Sequence, residues 1–177
     1  MATTKMLLAG FGGQGVLLIG QMIAYSAMFE DKNVTWMPSY GPEMRGGTAN
    51  CTVVVSDEPI ASPLPSKYDV LLAMNEVSLN KYIDRLLPGG KLFINSSLIT
   101  KKLDRDDIEV YYVDTIGLAE EKIGNEKSAN MVMLGAILNK TEVVDKATME
   151  KTFQKLMTGK KAKFIEPNMK ALDAWEG

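Results

Sequence analysis

The chain has 177 residues and a formal net charge of −2, with 46% of its residues hydrophobic and 24% charged. That length is enough for a single domain with its own core, and the slight acidity disfavours a nucleic-acid-binding protein, which usually shows a basic surface. One cysteine and no histidine exclude a disulfide framework, an iron–sulfur cluster held by this chain alone, and the Ser-His-Asp and Cys-His arrangements.

The amino-terminal segment lacks the long apolar stretch and cleavage site of a signal peptide. No run of about 18 apolar residues occurs anywhere in the chain, so no membrane span is predicted. We therefore expect a cytoplasmic protein whose partners include neither a membrane nor a nucleic acid.

The first third of the chain alternates between short apolar runs and one long apolar segment. A strand is predicted at residues 5–9, a helix at 15–30 and a second strand at 34–37. The helix is apolar on nearly every side, which is typical of a helix packed between a sheet and another layer. Together these elements predict a βαβ unit.

The remaining elements continue this alternation. Strands are predicted at residues 48–56, 69–73, 91–95 and 108–113, with a short return pairing near Ile60, and helices at 77–87, 116–123, 129–139, 147–157 and 167–175. The pattern predicts an α/β fold in which one Rossmann-like open sheet, mostly parallel, carries helices on both faces, and residues 1–177 form a single domain. The basic run Lys160-Lys161-Ala162-Lys163 is expected to be a solvated face.

The first candidate site is the turn Gly10-Phe11-Gly12-Gly13-Gln14-Gly15, which follows a predicted strand and opens a predicted helix. Glycines let the backbone turn tightly and approach a ligand, and the N–H groups at a helix start favour a phosphate. The acid that a dinucleotide site needs after the second strand is missing, so nicotinamide dinucleotide binding is disfavoured. Close packing without any ligand is the alternative. The candidate anion-binding residues are Gly10, Gly12, Gly13, Gln14 and Gly15.

The second candidate site is the loop at residues 39–47, which should lie at the carboxyl end of the second strand, where open α/β sheets bind ligands. Arg45 could clamp a carboxylate or phosphate through two hydrogen bonds, and Glu43 could pair with Arg45 or face a partner. A surface loop with an internal ion pair is the alternative. The candidate residues of this loop are Ser39, Tyr40, Glu43 and Arg45.

Polar residues also follow two later predicted strands, namely Asn75 and the run Asn95-Ser96-Ser97. They should lie at the same edge as the glycine turn, although Asn and Ser also cap helices and turns. Asn130, within an apolar predicted helix, is expected to be a satisfied buried amide. Cys51 is expected to be a core residue, because no base is available to activate it.

The segments GFGGQGVLLIGQMIA and TWMPSYGPEMRGGTANCTVVVSDEPIASP resemble the gamma subunit of the 2-oxoacid:ferredoxin oxidoreductases. The later segments DVLLAMNEVSLNKY, LPGGKLFINSSLI and SANMVMLGAIL also match, so the resemblance covers most of the chain. Within this family, the combination of GFGGQG with SYGPEMRGGTANC is most similar to the 2-oxoglutarate type, with the pyruvate and 2-ketoisovalerate types related.

The resemblance implies a complex that oxidatively decarboxylates a 2-oxoacid, forms an acyl-coenzyme A and reduces ferredoxin. Thiamine diphosphate and Mg would be held by alpha and beta subunits, and iron–sulfur clusters by a delta-type subunit. This chain would hold no cofactor tightly and no metal, and no catalytic residue can be assigned to it. The glycine turn could receive coenzyme A phosphates, while Tyr40, Glu43 and Arg45 would order a loop facing the thiamine site.

Two alternatives remain open at the level of sequence. One is a free-standing nucleotide- or flavin-binding protein, and the other is a purely structural interaction module. An obligate subunit should also display a large apolar interface, through which the isolated chain could form a homodimer.

Overall fold

The sheet of this protein is open, mixed and mostly parallel. The computed structural model describes residues 3–40 and 47–177. The strands are β1 (Thr3–Phe11), β2 (Asn33–Tyr40), β3 (Thr48–Ser56), β4 (Tyr68–Ala73), β5 (Leu86–Asn95) and β6 (Glu109–Val113). They form one six-stranded sheet in the order β2-β3-β1-β4-β5-β6. β1, β4, β5 and β6 are parallel neighbours, whereas β3 runs antiparallel to β1 and to β2, so the predicted mostly parallel α/β sheet is confirmed.

The position of β3 differs from the simplest expectation for a βαβ unit. β3 lies between β1 and β2, with Leu8 paired to Cys51 and Pro38 paired to the same cysteine from the other side. β3 is buried along most of its length, as suits a strand flanked on both sides, whereas β2 forms one edge of the sheet. Only a short connection separates β2 from β3, and a short connection favours an antiparallel hairpin.

The helices lie on both faces of the sheet, as predicted, but unequally. They are α1 (Val16–Phe29), α2 (Glu76–Tyr82), α3 (Thr115–Leu118), α4 (Ala129–Lys140), α5 (Lys146–Leu156) and α6 (Ile165–Leu172). The larger core joins one face of the sheet to α1, α4, α5 and α6, and the smaller core packs α2 against the opposite face. None of the helices in the described ranges has both the length and the apolar character that a bilayer crossing requires.

Two local predictions were wrong. The helix predicted at residues 77–87 ends at Tyr82, and β5 already begins at Leu86. Pro88-Gly89-Gly90 belongs to that strand instead of ending it, because Gly89 takes a φ of +77° and donates its N–H to Asp107 O at 2.7 Å. Ile60 pairs with no strand in the described chain and instead belongs to a connection that lies beside Val54 of β3.

A polar junction attaches α5 to α1. The hydroxyls of Ser26 and Thr152 lie 2.7 Å apart, and the Glu30 carboxylate accepts the backbone N–H of Asp145 at 2.7 Å and pairs with Lys32 at 2.8 Å. Burial raises the pKa of Glu30, but the hydrogen bonds from Lys32 and Asp145 outweigh that effect and hold the pKa below its usual value of 4.5. The ionised carboxylate therefore helps to hold α5 on α1.

Candidate functional site at the carboxyl edge of the sheet

Two of the predicted glycines are required by close packing. Gly15 caps α1 in the left-handed conformation, with φ +77°, and a Cβ there would lie 2.4 Å from Asn130 Nδ2. A Cβ on Gly10 would lie 2.8 Å from Gln14 Oε1 and 3.0 Å from Met74 Cβ. The 2.4 Å and 2.8 Å distances are shorter than real Cβ contacts and the 3.0 Å distance is a tight one, so Gly10 and Gly15 let the turn sit against α4 and the end of β4.

The other two glycines have different surroundings. Gly12 donates its N–H to Gly47 O at 2.8 Å, which ties the glycine turn to the chain entering β3. Gly13 takes a φ of +95°, and a Cβ on it would meet no atom within 4 Å. Gly13 is therefore the open part of the turn and the glycine best placed to face a ligand.

Gln14, predicted as a ligand-binding residue, has its side-chain amide engaged inside the protein. Its Oε1 accepts the Phe11 backbone N–H at 2.7 Å and the Asn75 side-chain N–H at 3.0 Å. Its Nε2 donates to Met74 O at 3.3 Å. Gln14 thus fixes the shape of the glycine turn and joins it to the end of β4, where Asn75 caps α2 by accepting from Ser78 N–H.

The hydrogen-bonded network of polar side chains continues across the ends of the next two strands, β5 and β6. Asn95 Nδ2 donates to Met74 O at 3.1 Å, and Thr115 Oγ1 donates to Asn95 Oδ1 at 2.7 Å. Ser97 Oγ donates to Asp114 Oδ1 at 2.5 Å. Asp114 and Thr115 were not predicted; the available signal was their position directly after a strand, the same position that singled out Asn75 and Asn95. The predicted common edge of these side chains is confirmed.

A cavity of about 280 Å³ opens at this edge. It is lined by the turn, the strand ends and the start of α4, including Gly13, Gly15, Asn95, Thr115, Lys127 and Asn130. The first hydrogen bond inside α1 runs from Ile19 N–H to Gly15 O, so earlier N–H groups of that helix have no partner within it. The amino termini of α1 and α4, together with the Lys127 ammonium, make this edge favourable for an anion.

A second cavity of about 390 Å³ adjoins the turn and is lined by Gly12, Gly13, Leu17, Gln21 and Thr48 among others. It lies next to both ends of the 39–47 loop, because Tyr40 pairs with Ala49 and Ala49 pairs with Gly10. The predicted location of this loop beside the glycine turn is confirmed at its anchor points. Ser39 is exposed near the end of β2. Glu43, Arg45 and the side chain of Tyr40 lie outside the described residues.

The strand order also bears on dinucleotide binding. Because β3 separates β1 from β2, a side chain at the end of β2 lies two strands from the glycine turn, about 10 Å at the usual strand spacing. An acid there could not take the position of the ribose-binding residue in the usual dinucleotide fold. The strand order therefore does not support dinucleotide binding at this turn.

The described residues do not fit a metal centre or a thiol nucleophile. No group of three His, Cys, Asp or Glu side chains among residues 3–40 and 47–177 could hold an ion. Cys51 is fully buried, and burial raises the pKa of its thiol to about 12. The buried thiol is therefore a core residue, as predicted.

Comparison with known proteins identifies the class to which this chain and its fold belong. The family described as pyruvate ferredoxin/flavodoxin oxidoreductase matches residues 5–174. The 2-oxoglutarate synthase subunit KorC of Methanocaldococcus jannaschii is 38% identical over 146 residues, which are 81% of this chain and 78% of that protein. The ketoisovalerate oxidoreductase subunit VorA of Methanothermobacter thermautotrophicus is 35% identical, and the match covers 96% of this chain but 35% of that protein.

Solved structures agree with this assignment. The gamma subunit of a keto/oxoacid ferredoxin oxidoreductase from Geobacter sulfurreducens superposes with a TM-score of 0.81 at 33% identity, covering 97% of this chain and 95% of that one. The 2-oxoglutarate:ferredoxin oxidoreductase of Magnetococcus marinus shares the fold, with a TM-score of 0.87 at 22% identity over 98% of this chain and 30% of that one. This chain belongs to the pyruvate ferredoxin/flavodoxin oxidoreductase family.

Proposed function

We propose that this chain is the gamma subunit of a cytoplasmic 2-oxoacid:ferredoxin oxidoreductase whose substrate is 2-oxoglutarate. The complex would decarboxylate the 2-oxoacid, transfer the acyl group to coenzyme A and pass the electrons to ferredoxin. The observation that carries the proposal is the KorC match, because it spans most of both chains. A second KorC protein, from Methanothermobacter marburgensis, is 36% identical and covered over 82% of its length.

Within this complex, the glycine turn at the carboxyl edge of the sheet would bind phosphates of coenzyme A. The open Gly13, the first turn of α1 and the exposed Lys127 supply backbone N–H groups and a positive charge on one cavity wall. Glu126 lines the same cavity and would oppose an anion, so Lys127 is the residue whose charge should matter most. Ser39, Tyr40, Glu43 and Arg45 would order the neighbouring loop toward the thiamine site.

The redox cofactors would be held by partner subunits. A single, fully buried thiol does not fit an iron–sulfur cluster, which needs several accessible thiolates. The clusters would therefore be held by a delta-type subunit, and the resemblance to this family further implies that alpha and beta subunits bind thiamine diphosphate with Mg. The gamma chain would contribute binding and positioning and would have no activity alone.

The test is reconstitution of the complex from this chain and its partner subunits. We expect ferredoxin reduction that depends on coenzyme A and is faster with 2-oxoglutarate than with pyruvate or 2-ketoisovalerate. Lys127→Glu should raise the KM for coenzyme A roughly tenfold and leave kcat close to the wild-type value, because it reverses one charge near the ligand. Lys101→Glu, at an exposed lysine outside this cavity, is the matched control.

Three outcomes would contradict parts of the proposal. Preference for another 2-oxoacid would overturn the substrate. An unchanged KM for coenzyme A in Lys127→Glu would overturn the phosphate site. Tight binding of NAD or FAD by the isolated chain, detected as a rise in melting temperature, would instead favour a free-standing nucleotide-binding protein.

A further inference from the structure

An exposed surface on the outer side of α1 and α5 has an apolar centre and a cationic border. We call it the lysine-bordered surface: its apolar centre is Tyr25, Met28 and Phe29 of α1, its cationic border begins with Lys151 and Lys155 of α5, and the exposed Lys160, Lys161 and Lys163 of the short 3-10 helix Gly159–Phe164 follow a few residues along the chain. It is separate from the carboxyl edge of the sheet, and the proposed function does not use it.

The apolar centre lies on one side of α1. Tyr25, Met28 and Phe29 are spaced i, i+3 and i+4, so they are neighbours on the helix surface. They remain 41%, 56% and 43% exposed, although Ile23 and Ala27 on the other side of the helix are fully buried. Aromatic residues and methionine are the types enriched where proteins contact one another.

The cationic border is held against this centre by the packing of α5. Met149 and Phe153 of α5 are fully buried, which leaves Lys151 and Lys155 on the outer side. The Lys155 ammonium lies 6.0 Å from the centroid of the Phe29 ring. A chain of five residues spans at most about 18 Å, so Lys160 lies within that distance of Lys155.

The charge of this region is opposite in sign to the rest of the chain. Residues 146–164 contain six lysines and one glutamate, which gives them a net charge of +5. Because the whole chain has a net charge of −2, the remaining residues have a net charge of −7. Among the described residues, no ion pair involves Lys151, Lys155, Lys160, Lys161 or Lys163. Lys151 and Lys155 also repel each other at i and i+4, so the part of the chain that the structure describes leaves a group of like charges without ion-pair partners.

We propose that the lysine-bordered surface docks an acidic polypeptide, whose apolar side chains cover the centre and whose Asp and Glu residues face the lysines. An apolar core within a charged rim is the usual anatomy of a protein interface. A nucleic acid or an anionic membrane presents extended negative charge, which the net charge of −7 on the rest of the chain would repel. A polypeptide, in contrast, can present a few carboxylates to the lysines alone. Residues 146–164 also contain no arginine, the residue type that favours phosphate recognition. Exposed lysines mainly accelerate association, so the docking should weaken as salt rises.

Zero-length carbodiimide cross-linking of the native complex, purified at low salt, tests this proposal directly, because the reagent joins a lysine amine to a carboxylate already in contact. We expect the five lysines to be joined to Asp or Glu residues of one defined peptide in another polypeptide. The yield should fall roughly fivefold or more in Lys151→Glu/Lys155→Glu and at high salt. Lys101→Glu/Lys102→Glu, a matched reversal of two exposed neighbours elsewhere, should leave the yield unchanged.

The proposal is overturned if lysines elsewhere in the complex are cross-linked but none of these five is. It is also overturned if the complex binds phosphatidylserine–phosphatidylcholine vesicles or single-stranded RNA in a manner abolished by Lys151→Glu/Lys155→Glu. The identity of the other subunits and the activity toward 2-oxoglutarate are measured separately, so failure of the proposed function can be told apart from failure of this docking surface.

Discussion

Gly15 and Gly124 have the same backbone conformation but different surroundings, and alanine substitution should separate the two effects. Gly15 takes φ +77° and ψ +19°, and Gly124 takes φ +77° and ψ +21°. An alanine in this left-handed region costs about 1–2 kcal/mol at either position. A Cβ at Gly124 would meet nothing within 4 Å, whereas a Cβ at Gly15 would lie 2.4–2.9 Å from three atoms of Asn130.

Overpacking of this kind costs typically about 1–3 kcal/mol, in addition to the backbone strain. Gly15→Ala should therefore lower the free energy of unfolding by about 2–5 kcal/mol, and Gly124→Ala by about 1–2 kcal/mol. Urea denaturation at pH 7 measures both values. The double variant Gly15→Ala/Asn130→Ala should recover part of the loss, because it removes the amide but keeps Asn130 Cβ, which is 2.9 Å from the new atom.

Equal losses at the two glycines would refute the argument, since the clash with Asn130 would then contribute nothing. Full recovery in the double variant would show that strain at position 15 is negligible. In the assembled enzyme, Gly15→Ala should also weaken coenzyme A binding, because it displaces the start of α1 at the proposed phosphate site.

Three further predictions concern stability and reactivity. Gln14→Leu should lower the unfolding free energy by about 1–3 kcal/mol, because it leaves the Phe11 backbone N–H and the Asn75 side-chain amide without the Gln14 acceptor. Gln21→Leu in α1 is the control, and equal losses would show that the amide contacts are unimportant. Glu30→Gln should make stability less dependent on pH in the acid range. The depressed pKa of Glu30 stabilises the fold above the unfolded-state value near 4.5, and this stabilisation is lost as pH falls through the folded-state pKa. Urea titrations that show the same acid-range dependence in wild type, Glu30→Gln and the exposed control Glu150→Gln would contradict this prediction. Cys51 should resist iodoacetamide in the native protein at pH 8 and react after unfolding in urea, because its pKa is about 12; rapid native labelling would mean that the thiol is accessible.

The sequence predicted the strands well because each one is a short apolar run ended by turn residues. It could not predict the order of those strands, since the insertion of β3 between β1 and β2 depends on long-range pairing that leaves no local pattern. Pro88-Gly89-Gly90 was misleading for a related reason. Proline and glycine usually end an element, but here Gly89 in the left-handed region lets β5 continue.

At the candidate site, the sequence predicted where polar residues meet but not what they contact. The glycine turn, Asn75 and Asn95 share an edge because carboxyl ends of parallel strands coincide. The sequence does not distinguish a ligand-facing amide from a structural one, and the Gln14 amide proved to be used internally. In the same way, a glycine needed for packing, such as Gly15, cannot be told from the open Gly13 until its neighbours are known.

The hairpin formed by β2 and β3 has a consequence for evolution and engineering. The chain leaves the sheet at Tyr40 and returns at Thr48, and the strands on either side are already held in register down to Asn33 and Ser56. Sequence exchange between these two anchor points should therefore leave the register of β2 and β3 intact. Exchanging residues 41–46 with the corresponding segment of a relative is therefore a direct test of whether this connection contributes to substrate preference.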